Sequence, residues 1–306
     1  MSRCILPLAA LLVLAMTVCA AAGEPGTAGF LFLRLGNGAR ASGMGEAFTA
    51  VADDATGIYW NPAGMAAVEG VEINVTHNEW LMDIRFEQVS VVAEMFGGSA
   101  GLSFTGLYYG ALDRYGEAPT LTPDGTFSPY DLALSGGYAR DILPNVAVGA
   151  VAKIIYSKID FESATGYAVD LGVSHKSMIE GLTLAAAILN LGPQAQFVEE
   201  KFYPPLQLRL GGAYLVERPA LMGALLLAAD AVFPNDNDAK FHLGLEYRYR
   251  ALLSLRFGYK GGYDVQGATM GTGIVYRNLR FDYAWMPVDL GLGDVHRVSI
   301  SVFPSF

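Results

Sequence analysis

Charge is what this 306-residue chain has least of: Asp, Glu, Lys and Arg make up 16% of it, whereas soluble domains carry roughly a quarter. Cysteine is almost missing, with only Cys4 and Cys19, both near the start. Beyond the first two dozen residues there is no apolar run long enough to span a membrane as a helix, which excludes a multi-helix membrane protein. Disorder is excluded as well, because 52% hydrophobic residues at this low charge can bury surface. Basic residues are outnumbered 20 to 30, and a formal charge of −10 disfavours nucleic acid as a partner. Signatures of catalysis are also lacking. There is no Gly-x-Ser-x-Gly elbow, and His77, His175, His242 and His296 are scattered without metal-ligand spacing. No metal, no cofactor and no enzymatic activity are expected. Gly36-x-Gly38-x-x-Ala41, with Asp53 downstream, fits a dinucleotide fingerprint. Gly43 and Gly45 would break the helix that fingerprint needs, however, and no βαβ alternation follows.

Residues 1–22 read as a signal peptide. Arg3 gives the positive start, Leu8 to Val18 the apolar core and Ala20 to Ala22 the small cleavage residues. Cleavage after Ala22 would remove both cysteines, leaving no thiol for a disulfide, nucleophile or metal. It would also remove Arg3 and no acid, taking the formal charge from −10 to −11.

From about residue 71 apolar and polar residues alternate with period two, the signature of strands with two chemically different faces. In 240–250, Phe241, Leu243, Leu245, Tyr247 and Tyr249 oppose Lys240, His242, Gly244, Glu246, Arg248 and Arg250. In 253–260, Leu253, Leu255, Phe257 and Tyr259 oppose Ser254, Arg256, Gly258 and Lys260. The pattern predicts strands near 71–79, 84–96, 98–110, 129–140, 145–157, 164–175, 181–190, 205–216, 221–233, 239–249, 252–260, 267–276, 279–287 and 295–304. That is fourteen, an even number. A soluble sandwich alternates too, but its strands are shorter, and it gives no reason for connections to alternate in length. Here even-numbered strands end in tight joints, such as Arg277-Asn278. Odd-numbered ones end in wider loops, notably 111–128, 190–204, 234–238, 261–266 and 288–294. This is the pattern of an all-β, fourteen-stranded antiparallel transmembrane barrel in a bacterial outer membrane, with its apolar face in lipid and its polar face lining a lumen. Trp80, Tyr108, Tyr156, Phe233 and Trp285 fall toward the wide-loop ends as a girdle, and Phe306 closes the chain. The lumen would carry charges of both signs, among them Arg209, Glu246, Arg248, Arg256 and Arg297. Gly149, Gly172, Gly211, Gly244, Gly258, Gly271 and Gly273 crowd that same side, as a lumen holding a plug requires.

Residues 23–70 do not alternate. Ala39–Glu46 and Pro62–Val68 are helical candidates, the second with Asn61 as N-cap and Pro62 in the first turn. This segment is expected to form a short, partly helical plug or hatch, with 71–306 as the barrel. Arg40 and the Asp53-Asp54 pair are expected to tie it to lumen charges of opposite sign.

The stretch Gly36-x-Gly38-Ala39-Arg40-Ala41-x-Gly43-Met44-Gly45-x-Ala47-Phe48, then Val51-Ala52-Asp53-Asp54-Ala55, then Trp60-Asn61-Pro62-Ala63-Gly64, resembles the opening signature of PorV/PorQ-family outer-membrane proteins. Asp294 to Ser299 resembles the same family's last strand. These motifs cover about sixty residues at the two ends. Asn37 departs from the pattern, which has a small apolar residue there, and so does Glu46, where glycine is usual. The resemblance places the chain with FadL-like barrels and implies a plug built on Gly36, Gly38, Arg40, Gly43, Gly45, Asp53, Asp54, Asn61, Pro62 and Gly64. For function it implies type IX-like secretion, with secreted cargo proteins docking through loops 111–128 and 190–204. The alternative is FadL-like transport of hydrophobic small molecules. The membrane lipid is a partner in either case.

Overall fold

Every stretch of period-two alternation after residue 70 forms a strand, because pairing its backbone in a closed sheet is the only way to satisfy it while one face stays in hydrocarbon. The computed structural model describes residues 26–81, 83–116, 120–289, 291 and 293–304. The expected signal peptide and Phe306 lie outside them. The barrel strands are β1 Val71–Glu79, β2 Arg85–Met95, β3 Gly98–Tyr108, β4 Tyr130–Leu143, β5 Val146–Ile159, β6 Glu162–Lys176 and β7 Leu182–Leu191. They continue as β8 Gln207–Arg218, β9 Gly223–Pro234, β10 Lys240–Tyr249, β11 Leu253–Gly261, β12 Ala268–Tyr276, β13 Leu279–Val288 and β14 Gly293–Val302. Each pairs antiparallel with its neighbours in sequence, and β1 closes on β14 with Ile73 opposite Val302 and Glu79 opposite His296. The fourteen-stranded antiparallel barrel read from the sequence is the fold observed.

Connections alternate in length with one exception. Asp160 and Phe161 join β5 to β6 on the wide-loop rim in two residues, because both strands run on to pair up to Ile159 opposite Glu162. Two loops carry small hairpins of their own, Leu112–Arg114 with Gly125–Phe127 and Ala195–Phe197 with Glu200–Phe202. By the usual polarity of such barrels the tight turns are periplasmic and the wide loops extracellular.

The outward face is a belt of exposed apolar side chains, with Leu102, Leu134, Ile154, Leu243, Leu255, Phe257 and Ile300 among them. Phe257 is 51% exposed while its strand neighbour Arg256 is 1% exposed. That inversion of the soluble rule identifies lipid outside and a filled lumen inside. Among the described residues, no helix is long and apolar enough to cross a membrane.

Residues 26–70 occupy the lumen. The described part of this segment begins at the wide-loop rim, where Ala28 bridges to Tyr203, and makes a 3₁₀ turn at Leu31–Arg34. It descends through α1 (Ala39–Gly43) and α2 (Gly57–Trp60) and a second 3₁₀ turn, Pro62–Ala67, to enter β1 at the narrow rim. α1 is shorter than the sequence pattern suggests because Gly45 and Glu46 both take positive φ. α2 went unpredicted, since four residues leave no periodicity to read.

Candidate functional site

The seam between hatch and wall is made possible by glycine. A Cβ on Gly258 would lie 1.9 Å from the Gly45 amide nitrogen, and one on Gly271 would lie 2.9 Å from Gly43 Cα. Gly149, Gly172, Gly211 and Gly244 likewise face Pro62, Asn61, Thr49 and Met44 of the hatch, whereas Gly273 faces Arg256 and Asp282. The excess of small residues on the polar face is thus the negative of the hatch surface.

Where the backbones meet, charges lock them. Arg40, on α1, donates from Nε to Glu246 Oε2 at 3.0 Å, and to Asp53 and Asp54 at 2.5 and 3.0 Å. Arg256 pairs with Glu246 at 2.6 Å and with Asp282 at 2.8 Å. Arg280 pairs with Asp282 and Asp54, both at 3.0 Å, and with Glu72 at 3.2 Å. The result is a closed ring, Arg40–Glu246–Arg256–Asp282–Arg280–Asp54, which joins hatch to wall at Arg40–Glu246 and at Arg280–Asp54. Asp53 hangs from it half-exposed, and Arg248 approaches Glu246 only to 3.5 Å. Low dielectric strengthens each of these bonds, and equally raises the cost of losing one partner.

A second lock sits higher in the lumen. Asp230 Oδ2 accepts from the Phe48 and Thr49 amides at 3.1 and 3.0 Å, from Thr49 Oγ1 at 2.6 Å, and from Arg209 at 3.0 Å. Arg209 also donates to the Glu46 carbonyl at 2.7 Å and lies over the Trp60 ring. Arg297 donates to Ser42 Oγ, and Ala39 N to Ser299 Oγ at 2.8 Å. Asn61 caps the second 3₁₀ turn, accepting from Ala63 N at 3.1 Å, and its amide reaches the Thr49 carbonyl at 2.9 Å. Gly64 lies so close to the Ala52 carbonyl that no side chain fits. Gly36 packs against Glu46, and Gly38 and Gly45 supply positive φ.

Two hatch carboxylates, neither in a spanning strand, are held ionised. Burial opposes the charge of Glu46, but Lys260 at 2.8 Å, with His242 and Arg297 nearby, outweighs it and brings the carboxyl down to about 2. Burial opposes Asp54 too, and Arg280 and Arg40 outweigh it. Glu46 occupies a left-handed position, φ 62°, where glycine is at ease; its bond to Lys260 offsets the strain. Sequence reasoning missed Asp230 as a hatch partner and left Lys260, Arg280 and Asp282 as lumenal charges without a specified one. Their alternation gave them a lumenal side but no depth or neighbour.

Above the locks the lumen turns apolar on one side. Phe30, Phe32 and Leu33 pack with Phe86, Leu107, Ile155, Ala164 and Ala168 of β2–β6 and with Ala195, Phe197 and Phe202 of the second loop hairpin. The opposite side holds a polar cavity of about 420 Å³ between Arg34, Lys240, Lys260 and Tyr263. Among the described residues no group of three or more His, Cys, Asp or Glu side chains is placed to hold a metal.

The fold is shared with the toluene transporter TodX of Pseudomonas putida, at a TM-score of 0.59 and 12% identity over 87% of this chain and 97% of that one. It is shared also with a FadL homologue of Pseudomonas aeruginosa, at a TM-score of 0.56 and 11% identity over 87% and 98%. No curated protein matches the chain in sequence. A closed barrel with a lipid-facing belt and such neighbours is a protein of the bacterial outer membrane. A family model matches residues 14–178, just over half of the chain and the whole of the hatch, and this outer-membrane barrel therefore belongs to the Uncharacterised protein family UPF0164.

Proposed function

We propose that the barrel admits hydrophobic small molecules through the outer membrane, with residues 28–35 and the hatch below them as its closure. The observation that carries this reading is the apolar chamber under the extracellular rim. Phe30, Phe32 and Leu33 fill it, as a ligand would, with side chains from the chain's own N-terminal strap. The strap is held by a hydrogen bond from Gly29 N to the Tyr203 carbonyl, an edge contact of Phe30 with Phe202, Arg34 on Asn235 and Asp236, and Tyr59 Oη donating to the Leu33 and Leu35 carbonyls. The toluene transporter and the FadL homologue support it by fold.

The PorV/PorQ resemblance, with cargo docking in a type IX-like system, is the second reading. The first loop hairpin favours it, since Leu112, Tyr115 and Leu121 project exposed from that loop. The second loop weakens it, because Ala195, Phe197 and Phe202 turn inward onto the strap and are spent there.

Uptake of radiolabelled toluene by cells whose outer membrane excludes hydrophobes tests the transport reading. Expression of the barrel is expected to speed uptake, and the double substitution Phe30→Ala, Phe32→Ala to speed it further. Equal uptake with and without the barrel overturns it.

A further inference from the structure

The polar cavity at the extracellular mouth is separate from the apolar chamber and is not used by the transport reading. Four cations line it, Arg34, Arg209, Lys240 and Lys260, against two acids, Glu46 and Asp264. Three of the cations are neutralised: Arg34 by Asp236 at 2.5 Å, Arg209 by Asp230 at 3.0 Å and Lys260 by Glu46 at 2.8 Å. Lys240 is not. No carboxylate of the described residues, Asp264 included, lies within ion-pair distance of it. It is pinned in place instead, with Nζ donating to the Gly262 carbonyl at 2.5 Å and standing 5.4 Å from the Tyr263 ring centre. Lys260 stands 4.7 Å from the same ring, and His242 Nε2 meets Tyr263 Oη at 2.9 Å, so the ring is held beside two cations. Trp80 adds a second aromatic to the lining, and the Nε of Arg34 is buried without a partner among the described residues.

We infer that this cavity binds a compact, ring-bearing monocarboxylate: the carboxylate on Lys240 Nζ, the ring between Tyr263 and Trp80. A single uncompensated cation selects one negative charge, and two aromatic walls select a flat apolar body. About 420 Å³ is room enough for a molecule of that size, and Gly36 and Glu46 of the hatch contribute to the lining. Asp264, exposed at the edge, disfavours dianions.

Isothermal titration of the purified full-length barrel in detergent with benzoate, against the neutral analogue benzyl alcohol, tests the site. Benzoate is expected to bind saturably and benzyl alcohol about tenfold more weakly or not at all. K240Q is expected to weaken benzoate about tenfold while K240R retains it. K158Q, at the far side of the rim, is expected to change nothing. Heat-modifiability on gels establishes that each variant is a folded barrel. Absence of benzoate binding, equal binding of the alcohol, or benzoate binding indifferent to K240Q overturns the assignment. None of these outcomes depends on whether toluene is transported.

Discussion

Replacing Asp54 by alanine removes one member of the six-membered charge ring, and the structure says what that costs. Asp54 is 2% exposed, accepts from Arg40 and Arg280, both at 3.0 Å, and takes the Thr56 amide at 3.0 Å on its other oxygen. Removing one partner of a buried ion pair typically costs 3–5 kcal/mol. Here the lower end applies, since Arg40 keeps Glu246 and Asp53, and Arg280 keeps Asp282 and Glu72. A loss of about 3 kcal/mol multiplies the undocked population of the hatch by roughly 10². Asp53 offers the control. Its side chain is 49% exposed, so its bond to Arg40 is worth about 1 kcal/mol or less, a factor of about five at most. Planar-bilayer recordings read the difference directly. Wild-type barrel and D53A should rest closed with rare openings, while D54A should open about a hundredfold more often, and amides of residues 39–48 should exchange hydrogen faster in the same variant. Equal conductance in D54A and wild type, or equal effects of D53A and D54A, would refute the view that the ring holds the hatch.

Acid should undo the same seam in a defined window. The Glu46 carboxyl is brought down from an ordinary value of 4.5 to about 2, and Asp54 is lowered too, so docking gains from both as long as the pH stays above the ordinary carboxylate range. That contribution fades as pH falls from about 4.5 toward 2, and conductance recorded from pH 7 downward should be flat to about 4.5 and rise below it. Backbone contact gives a charge-free test. G258A puts a methyl 1.9 Å from Gly45 N and should cost about 1–3 kcal/mol of hatch docking, whereas G212A, on the lipid side with nothing nearer than 3.7 Å, should be neutral. Hydrogen exchange of the hatch in the two variants separates them.

The barrel was legible because its determinants are local and periodic. Facing lipid on one side and a polar lumen on the other forces alternation at every second residue, as in Leu253 to Lys260, and the even count and unequal loops followed from the same strings. The hatch was legible only in outline. Asn61, Pro62 and the run of glycines marked a non-strand segment. Arg40 and the two aspartates stood out as charges in an apolar stretch, but nothing in one dimension says which of the lumenal charges each one meets.

What the sequence alone determined was which face of each strand is greasy and where the chain turns, since these depend on neighbours two to ten residues apart. Tertiary structure decided the rest: that Arg40 meets Glu246, 206 residues away, that Gly258 exists to admit Gly45, and that Lys240 alone among the cations of its cavity is left without a carboxylate. Closure of the sheet sets those encounters, because the depth and angular position of a side chain in the lumen depend on the registers of all fourteen strands together.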